Sequence, residues 1–264
     1  MTKTCANQRK VLLFVKGGSF FMLHDKDFEY FDKMAHWSFD GYDCHTECLT
    51  DWDLYKILNG LATEDSRILD LGTGGGEKLL ANFPECKEIT GTDYSPNMIE
   101  TARRNLEKSG RKNITFRVMD NLNMDVPEDY YDIVMARHTC IDAGQIFRCL
   151  KPGGHLLLRG VDKYDCWSLK IHLGYGQDFD SPVPISIEDY ENILKAGFSD
   201  VELVPIHERE YYKDAQTFKA FLSVVPILDH MPEDSLLDEY IEKNTYAGRV
   251  LLIRRCYGIT ARKP

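Results

Sequence analysis

The chain has 264 residues, a formal net charge of −10, and 43% hydrophobic and 28% charged residues. That length buries a full core, and the composition is that of a soluble globular protein. No apolar run reaches the length needed to span a bilayer, and the acidic balance opposes a phosphate backbone, so a membrane role and nucleic-acid binding are both disfavoured.

Residues 1 to 60 read as an amino-terminal helical and lid region rich in aromatics, among them Phe20, Phe28, Phe31, Trp37, Tyr42 and Trp52. Val11 to Val15 follows basic residues, but Lys16 cuts the run too short for a signal peptide, so a cytoplasmic protein is expected. Phe28 to Tyr42 is expected to cover a ligand. Cys44 and Cys48 would share a face if helical, yet no second close pair completes a metal site, and no metal is expected. The eight cysteines are expected to be free thiols. Asp51 to Leu58 is read as a helix.

The most informative stretch follows. Ile68 to Leu71 is a short apolar strand that runs into Gly72-Thr73-Gly74-Gly75-Gly76 and then a helical pattern with Leu79 and Leu80. Glycines at such a strand-to-helix turn let the backbone approach a ligand closely. A phosphate-binding loop would need Gly-Lys followed by Ser or Thr, but the chain has Gly76-Glu77-Lys78-Leu79. The dinucleotide fingerprint fails as well, because Glu77 stands where its third glycine belongs. Asp70 at the strand end would repel a pyrophosphate and suits a cationic ligand, such as one carrying an amino-acid ammonium and a sulfonium.

Leu69 to Gly76 resembles the first motif of the class I S-adenosylmethionine-dependent methyltransferases. The resemblance covers about residues 45 to 206. It implies an α/β, Rossmann-like fold with a mostly parallel seven-stranded sheet and helices on both faces. It also implies S-adenosyl-L-methionine as cofactor and S-adenosyl-L-homocysteine as product, with Asp70, Gly72 and Gly74 at the methionine end.

Ile89 to Thr92 reads as the second strand, closed by Asp93, an acid placed to accept both ribose hydroxyls. Tyr94 and Met98 are the expected adenine walls, and Ser95-Pro96 marks a helix start. The stretch Ile114 to Met124 reads as a third strand followed by a polar pair, Asp120 and Asn121, which the resemblance places at the adenine amino group. Ile133 to Ala136 is a buried parallel strand, from which Arg137 and His138 emerge at the ligand edge; Arg137 is expected to contact cofactor. A helix through Ile146, Phe147 and Leu150 ends at Lys151-Pro152-Gly153-Gly154, a further mark of the family, before a fifth strand from His155 to Val161.

Asp162 to Pro184 reads as an irregular aromatic roof holding Trp167 and His172. A helix over 186–196 with Ser186 as cap, a sixth strand over 201–206, helical stretches at 214–228 and 232–244, and a last strand over 249–259 complete the pattern. The methyltransferase domain is thus expected over 61–264, with roof insertions at about 162–184 and 208–247. The expected reaction is methyl transfer to a small or medium-sized acceptor. His138 is the first candidate for a base and His172 the second, because either ring can titrate near neutrality. A methyltransferase acting on RNA or protein, and a non-catalytic cofactor-binding module, are the alternatives.

Overall fold

The computed structural model describes residues 43–264; the expected lid over 28–42, the run at 11–15 and Cys5 lie outside them. The described chain begins with strand β1 (Cys44–Cys48) and helix α1 (Leu54–Leu61). Asp53 caps α1 by accepting from the Lys56 N–H at 2.7 Å, and Leu54 and Leu58 are its buried anchors. Next come β2 (Arg67–Leu71), α2 (Glu77–Asn82), β3 (Glu88–Asp93) and α3 (Pro96–Ser109). Helix α3 starts as its sequence dictates: the Ser95 hydroxyl accepts from the Met98 N–H, Pro96 opens the first turn, and Gly110 ends it in the left-handed conformation. Then follow β4 (Ile114–Val118), β5 (Tyr131–Arg137), α4 (Ala143–Cys149) and β6 (Leu150–Val161). The rest is α5 (Trp167–Leu173), α6 (Ile185–Ala196), β7 (Ser199–Tyr212), α7 (Ala215–Leu222), α8 (Asp234–Lys243), β8 (Thr245–Tyr246) and β9 (Arg249–Arg262).

All strands among the described residues join one sheet of nine, in the order β1-β7-β9-β6-β5-β2-β3-β4, with β8 on β9. β2, β3, β4, β5 and β6 run parallel, and β9 is antiparallel to both β6 and β7. The chain leaves β2 toward β3 and β4, then returns to place β5 on the other side of β2. That reversal opens a crevice at the carboxyl ends of β2 and β5, where open α/β sheets hold ligands. One face of the sheet buries Leu69, Leu71, Val134, Leu158 and Tyr257 beneath α4 and α6. The other buries Ile68, Ile89, Ile133 and Leu157 against α1 and α3.

The α/β architecture is the expected one, but nine strands replace seven. β1 is a strand at the sheet edge, not a helix, and it pairs with the far end of β7. β7 runs on to Tyr212, well past the expected end at 206. Its extension reads Glu208-Arg209-Glu210-Tyr211-Tyr212, and the charged alternation hid a strand whose acids are neutralised by arginines of β6 and β9. The roof is less irregular than expected. Residues Leu169 and Leu173 of α5, with Cys166, join Phe218, Phe221, Tyr240 and Leu252 in a third apolar cluster. Pro184, not Ser186, occupies the cap position of α6; the Ser186 hydroxyl donates to Asp162 instead. The cysteines among the described residues form no disulfide with one another.

Candidate functional site

The glycine turn between β2 and α2 is held by its neighbours on both sides. Gly72 has φ 72°, and a Cβ there would lie 2.6 Å from the Cβ of Thr139, so only glycine fits. Gly74 has φ 57° with open space before it, which leaves its backbone accessible. The Gly74 N–H donates to Asp93 Oδ2 at 2.9 Å, and the Ser95 N–H donates to Asp93 Oδ1 at 2.9 Å. One carboxylate therefore fixes the turn and the start of α3, and each oxygen keeps lone-pair capacity for a ligand hydroxyl. Burial raises the Asp93 pKa, and the N–H groups of Ser95, Gly74 and Tyr94 pull it back.

Asp70 lies buried at the end of β2. Burial pushes its carboxyl up to about 7, with the nearby Asp93 charge adding to the rise; the Thr73 hydroxyl and the Arg137 guanidinium oppose it. Tyr55 of α1 belongs to the same group: burial and the Asp70 charge push its phenol up to about 12, against Arg137. Two acids with elevated pKa values at one crevice favour a cation, whose arrival would stabilise both ionised forms.

Of the other residues singled out from sequence, Tyr94 is 51% exposed at the crevice rim, whereas Met98 is buried at the base of α3. Asp120 is exposed and accepts from the Leu122 N–H. Asn121 is buried, donates to Thr139 Oγ1 at 3.0 Å and accepts from the Thr92 hydroxyl. Arg137 and His138 follow each other out of β5. His138 takes the left-handed conformation, φ 53°, rare for a residue with a Cβ, and its N–H donates to the Arg159 carbonyl at 2.8 Å. His138 is exposed as a residue, although other side chains crowd around its ring. That desolvation, with Arg137, Arg159 and Arg254 nearby, holds the imidazole well below its ordinary pKa. That direction runs against the expectation that it titrates near neutrality. His172 is engaged elsewhere: a ring nitrogen contacts the Leu236 carbonyl at 2.9 Å, and the ring packs on Tyr240.

Beyond β5 the edge is built from charge pairs. Arg159 Nη2 donates to both oxygens of Glu208, at 2.9 and 3.0 Å. Arg254 grips Asp165 through Nε and Nη2 and Glu210 through Nη1, and the Tyr212 hydroxyl donates to Glu210 at 2.6 Å. A cavity of about 480 Å³ opens between Arg159, Glu208 and the segment carrying Trp52 and Asp53. Tyr55, Thr139, Arg159 and Glu208 had no sequence signal as site residues. Only the register of β5 with β6, which pairs Arg137 with Arg159, and the fold of α1 over β2 bring them in. Among the described residues, no group of three or more His, Cys, Asp or Glu side chains is arranged to hold a metal ion.

A family model described as a methyltransferase domain matches residues 62–172. YcgJ of Bacillus subtilis, an uncharacterized methyltransferase, is 30% identical over 107 residues, 38% of this chain and 42% of that protein. Its crystal structure superposes with a TM-score of 0.52 at 19% identity, covering 80% of this chain and 97% of that one, a likeness of fold. EEF1A lysine methyltransferase 2 of Homo sapiens is 40% identical over 82 residues, 30% of this chain and 32% of that protein. The S-adenosyl-L-methionine-dependent Diels-Alderase iliD of Neonectria is 31% identical over 163 residues, 56% of this chain and 64% of that protein. Each of these sequence matches spans less than two thirds of the relative's own length.

Proposed function

We propose that this chain, whose residues 62–172 match a methyltransferase domain, is a class I S-adenosylmethionine-dependent methyltransferase that transfers a methyl group to a small or medium-sized acceptor. The observation that carries the cofactor side is the Asp93 carboxylate, braced by the Gly74 and Ser95 N–H groups at the carboxyl end of β3. S-adenosyl-L-methionine supplies an electrophilic methyl on a sulfonium. Asp93 accepts the ribose hydroxyls, and Gly72 and Gly74 line the backbone path. Asp70 and Arg137 meet the ammonium and carboxylate of the methionine end. Tyr94 covers the adenine, with Asp120 and Asn121 at its edge; Met98 supports that wall from below. His138 offers a neutral imidazole that hydrogen-bonds the acceptor. His172 serves the packing of α5 on α8. Much of the rate comes from holding the acceptor in line with the methyl carbon.

The test is calorimetry with S-adenosyl-L-homocysteine, followed by incubation with methyl-labelled cofactor and small acceptors. Binding at micromolar level and label in a small product support the reading. Label in transfer RNA or protein alone, or no binding, would sink it. The match to iliD favours a second reading, in which the same pocket serves a reaction other than methyl transfer. That reading expects cofactor binding with no S-adenosyl-L-homocysteine formed.

A further inference from the structure

A polar pair lies beside the crevice on the opposite face of the sheet from Arg137, and the cofactor reading does not use it. Tyr257 of β9 stands in register with Gly160, one residue before the end of β6. Its ring lies across the Gly160 backbone: a Cβ on Gly160 would fall 2.1 Å from Tyr257 Cζ and 2.2 Å from its hydroxyl. The missing side chain lets the phenol cross β6 and donate to Asp189 Oδ2 of α6 at 2.5 Å. Tyr257 is 3% exposed, but Asp189 is only partly buried, and its Oδ1 makes no hydrogen bond among the described residues. Asp162, directly after β6, is committed to the Lys163 N–H and the Ser186 hydroxyl.

The pair sits close to the cofactor turn. Cys140, whose charge would be felt by Tyr257, belongs to the loop after β5 that also carries Thr139 against Gly72. β6 is two strands from β2 in the sheet order, roughly 10 Å at ordinary strand spacing. We propose that Asp189, oriented by Tyr257, is the group that takes the proton from the acceptor, and that the acceptor presents a hydroxyl or ammonium proton at the ends of β5 and β6. This rests on the methyl-transfer reading above.

In the step, the acceptor proton moves to Asp189 Oδ1. The lone pair it leaves forms the bond to the methyl carbon, and the carbon–sulfur bond breaks with its electron pair returning to sulfur. The positive charge of the sulfonium and the negative charge of Asp189 both disappear. Tyr257 keeps its proton throughout. The groups facing Asp189 suit the task. Burial raises its carboxyl to about 6, the Tyr257 hydrogen bond lowers it, and Glu188 and Asp162 add to the rise. An acid titrating there is ionised at neutral pH yet basic enough to share a proton. His138, exposed but lowered in pKa by its crowded surroundings and three arginines, is the weaker candidate base.

The test offers methyl-labelled S-adenosyl-L-methionine with small phenols, alcohols, primary amines and thiols between pH 5 and 9, and measures S-adenosyl-L-homocysteine binding in parallel. Asp189→Asn should lower transfer about 100-fold or more while leaving product affinity within about twofold. Tyr257→Phe should move the acid limb of the wild-type rate profile, expected near 6, to higher pH, because the hydrogen bond that lowers the Asp189 pKa is gone. A purely structural pair would lower the melting temperature of both variants and leave that limb in place. If Asp189→Asn does not fold, the shift in Tyr257→Phe decides. Unchanged transfer in Asp189→Asn, an unmoved limb in Tyr257→Phe, or a cofactor-binding protein that methylates nothing in the panel would overturn the proposal. A wild-type chain that fails to bind S-adenosyl-L-homocysteine would overturn the methyl-transfer reading instead.

Discussion

The two halves of the ligand edge are built by opposite means. From β2 to β4 the chain uses backbone: glycines at a turn, N–H groups on Asp93, a capped helix start. From β6 to β9 it uses buried side-chain charges paired over long separations, 89 residues for Arg254 with Asp165 and 49 for Arg159 with Glu208. The first half is local, and on the proposed reading it holds the cofactor. The second is non-local and depends on charges that meet only in the folded chain. A backbone site tolerates drift in side chains, whereas a charge-paired site fails when one partner is lost.

The sharpest way to break this contrast is Arg254→Met. Asp165 is 2% and Glu210 14% exposed, so removing their arginine strands two carboxylates inside the protein. Loss of about 3–5 kcal/mol in urea unfolding is expected, the usual result of breaking a buried pair from one side. A loss below about 1 kcal/mol would mean that the acids relax into water and that this half is not charge-dependent.

Asp93→Ala probes the backbone half. Ribose hydroxyls and two N–H groups lose their acceptor together, so affinity for S-adenosyl-L-homocysteine should fall by about 1.5–3 kcal/mol. Isothermal calorimetry on the folded variant reads this directly. Equal affinity would remove Asp93 from the ribose.

Asp70→Asn sharpens the comparison through pH. The folded carboxyl stands at about 7 against a reference of 3.8, so the fold binds its proton more tightly than the unfolded chain does. Ligand-free stability therefore falls as pH rises between those values, and the loss is complete above about 7. The asparagine variant should melt about 3–6 °C higher than wild type at pH 8, a gain of roughly 1–2 kcal/mol, and lose that advantage near pH 4. Cofactor affinity should rise with pH toward 8 in wild type and stay flat in the variant. A pH-independent wild-type affinity would show that no cation meets Asp70.

The smallest effect is the control. Lys195 and Glu191 pair on the outer face of α6 with more than half of each side chain in solvent. Lys195→Ala should change stability by no more than about 0.5 kcal/mol in the same urea assay. A larger change would mean that exposed pairs matter here as much as buried ones.

Sequence reasoning reached these halves unequally, for the same physical reason. Leu69 to Gly76, Asp93 and Ser95-Pro96 are short runs whose residue types dictate a turn, an acceptor and a cap, and the structure places them at one crevice. The extension of β7 through Glu208 and Glu210 could not be read. A strand with acids on its inner face makes sense only once Arg159 and Arg254 are known to lie beneath it. His138 is a case between these. Its position at the end of β5 was legible, but its lowered pKa comes from desolvation by its folded surroundings and from arginines of three strands. Asp189 and Tyr257 are remote in sequence and meet only because Gly160 lets a ring through.

The placement of β9 has a consequence for how the protein is made. β9 lies between β6 and β7, and β7 reaches the parallel sheet only through it. During synthesis, β2 to β6 can assemble as they leave the ribosome, but the edge of β7 that faces away from β1 stays unpaired until Arg249–Arg262 has emerged. The cofactor crevice can thus form early, while Arg254 and Tyr257 arrive last. A nascent chain stalled before β9 would expose the acids of β7 and an open strand edge, making it a natural client for chaperones.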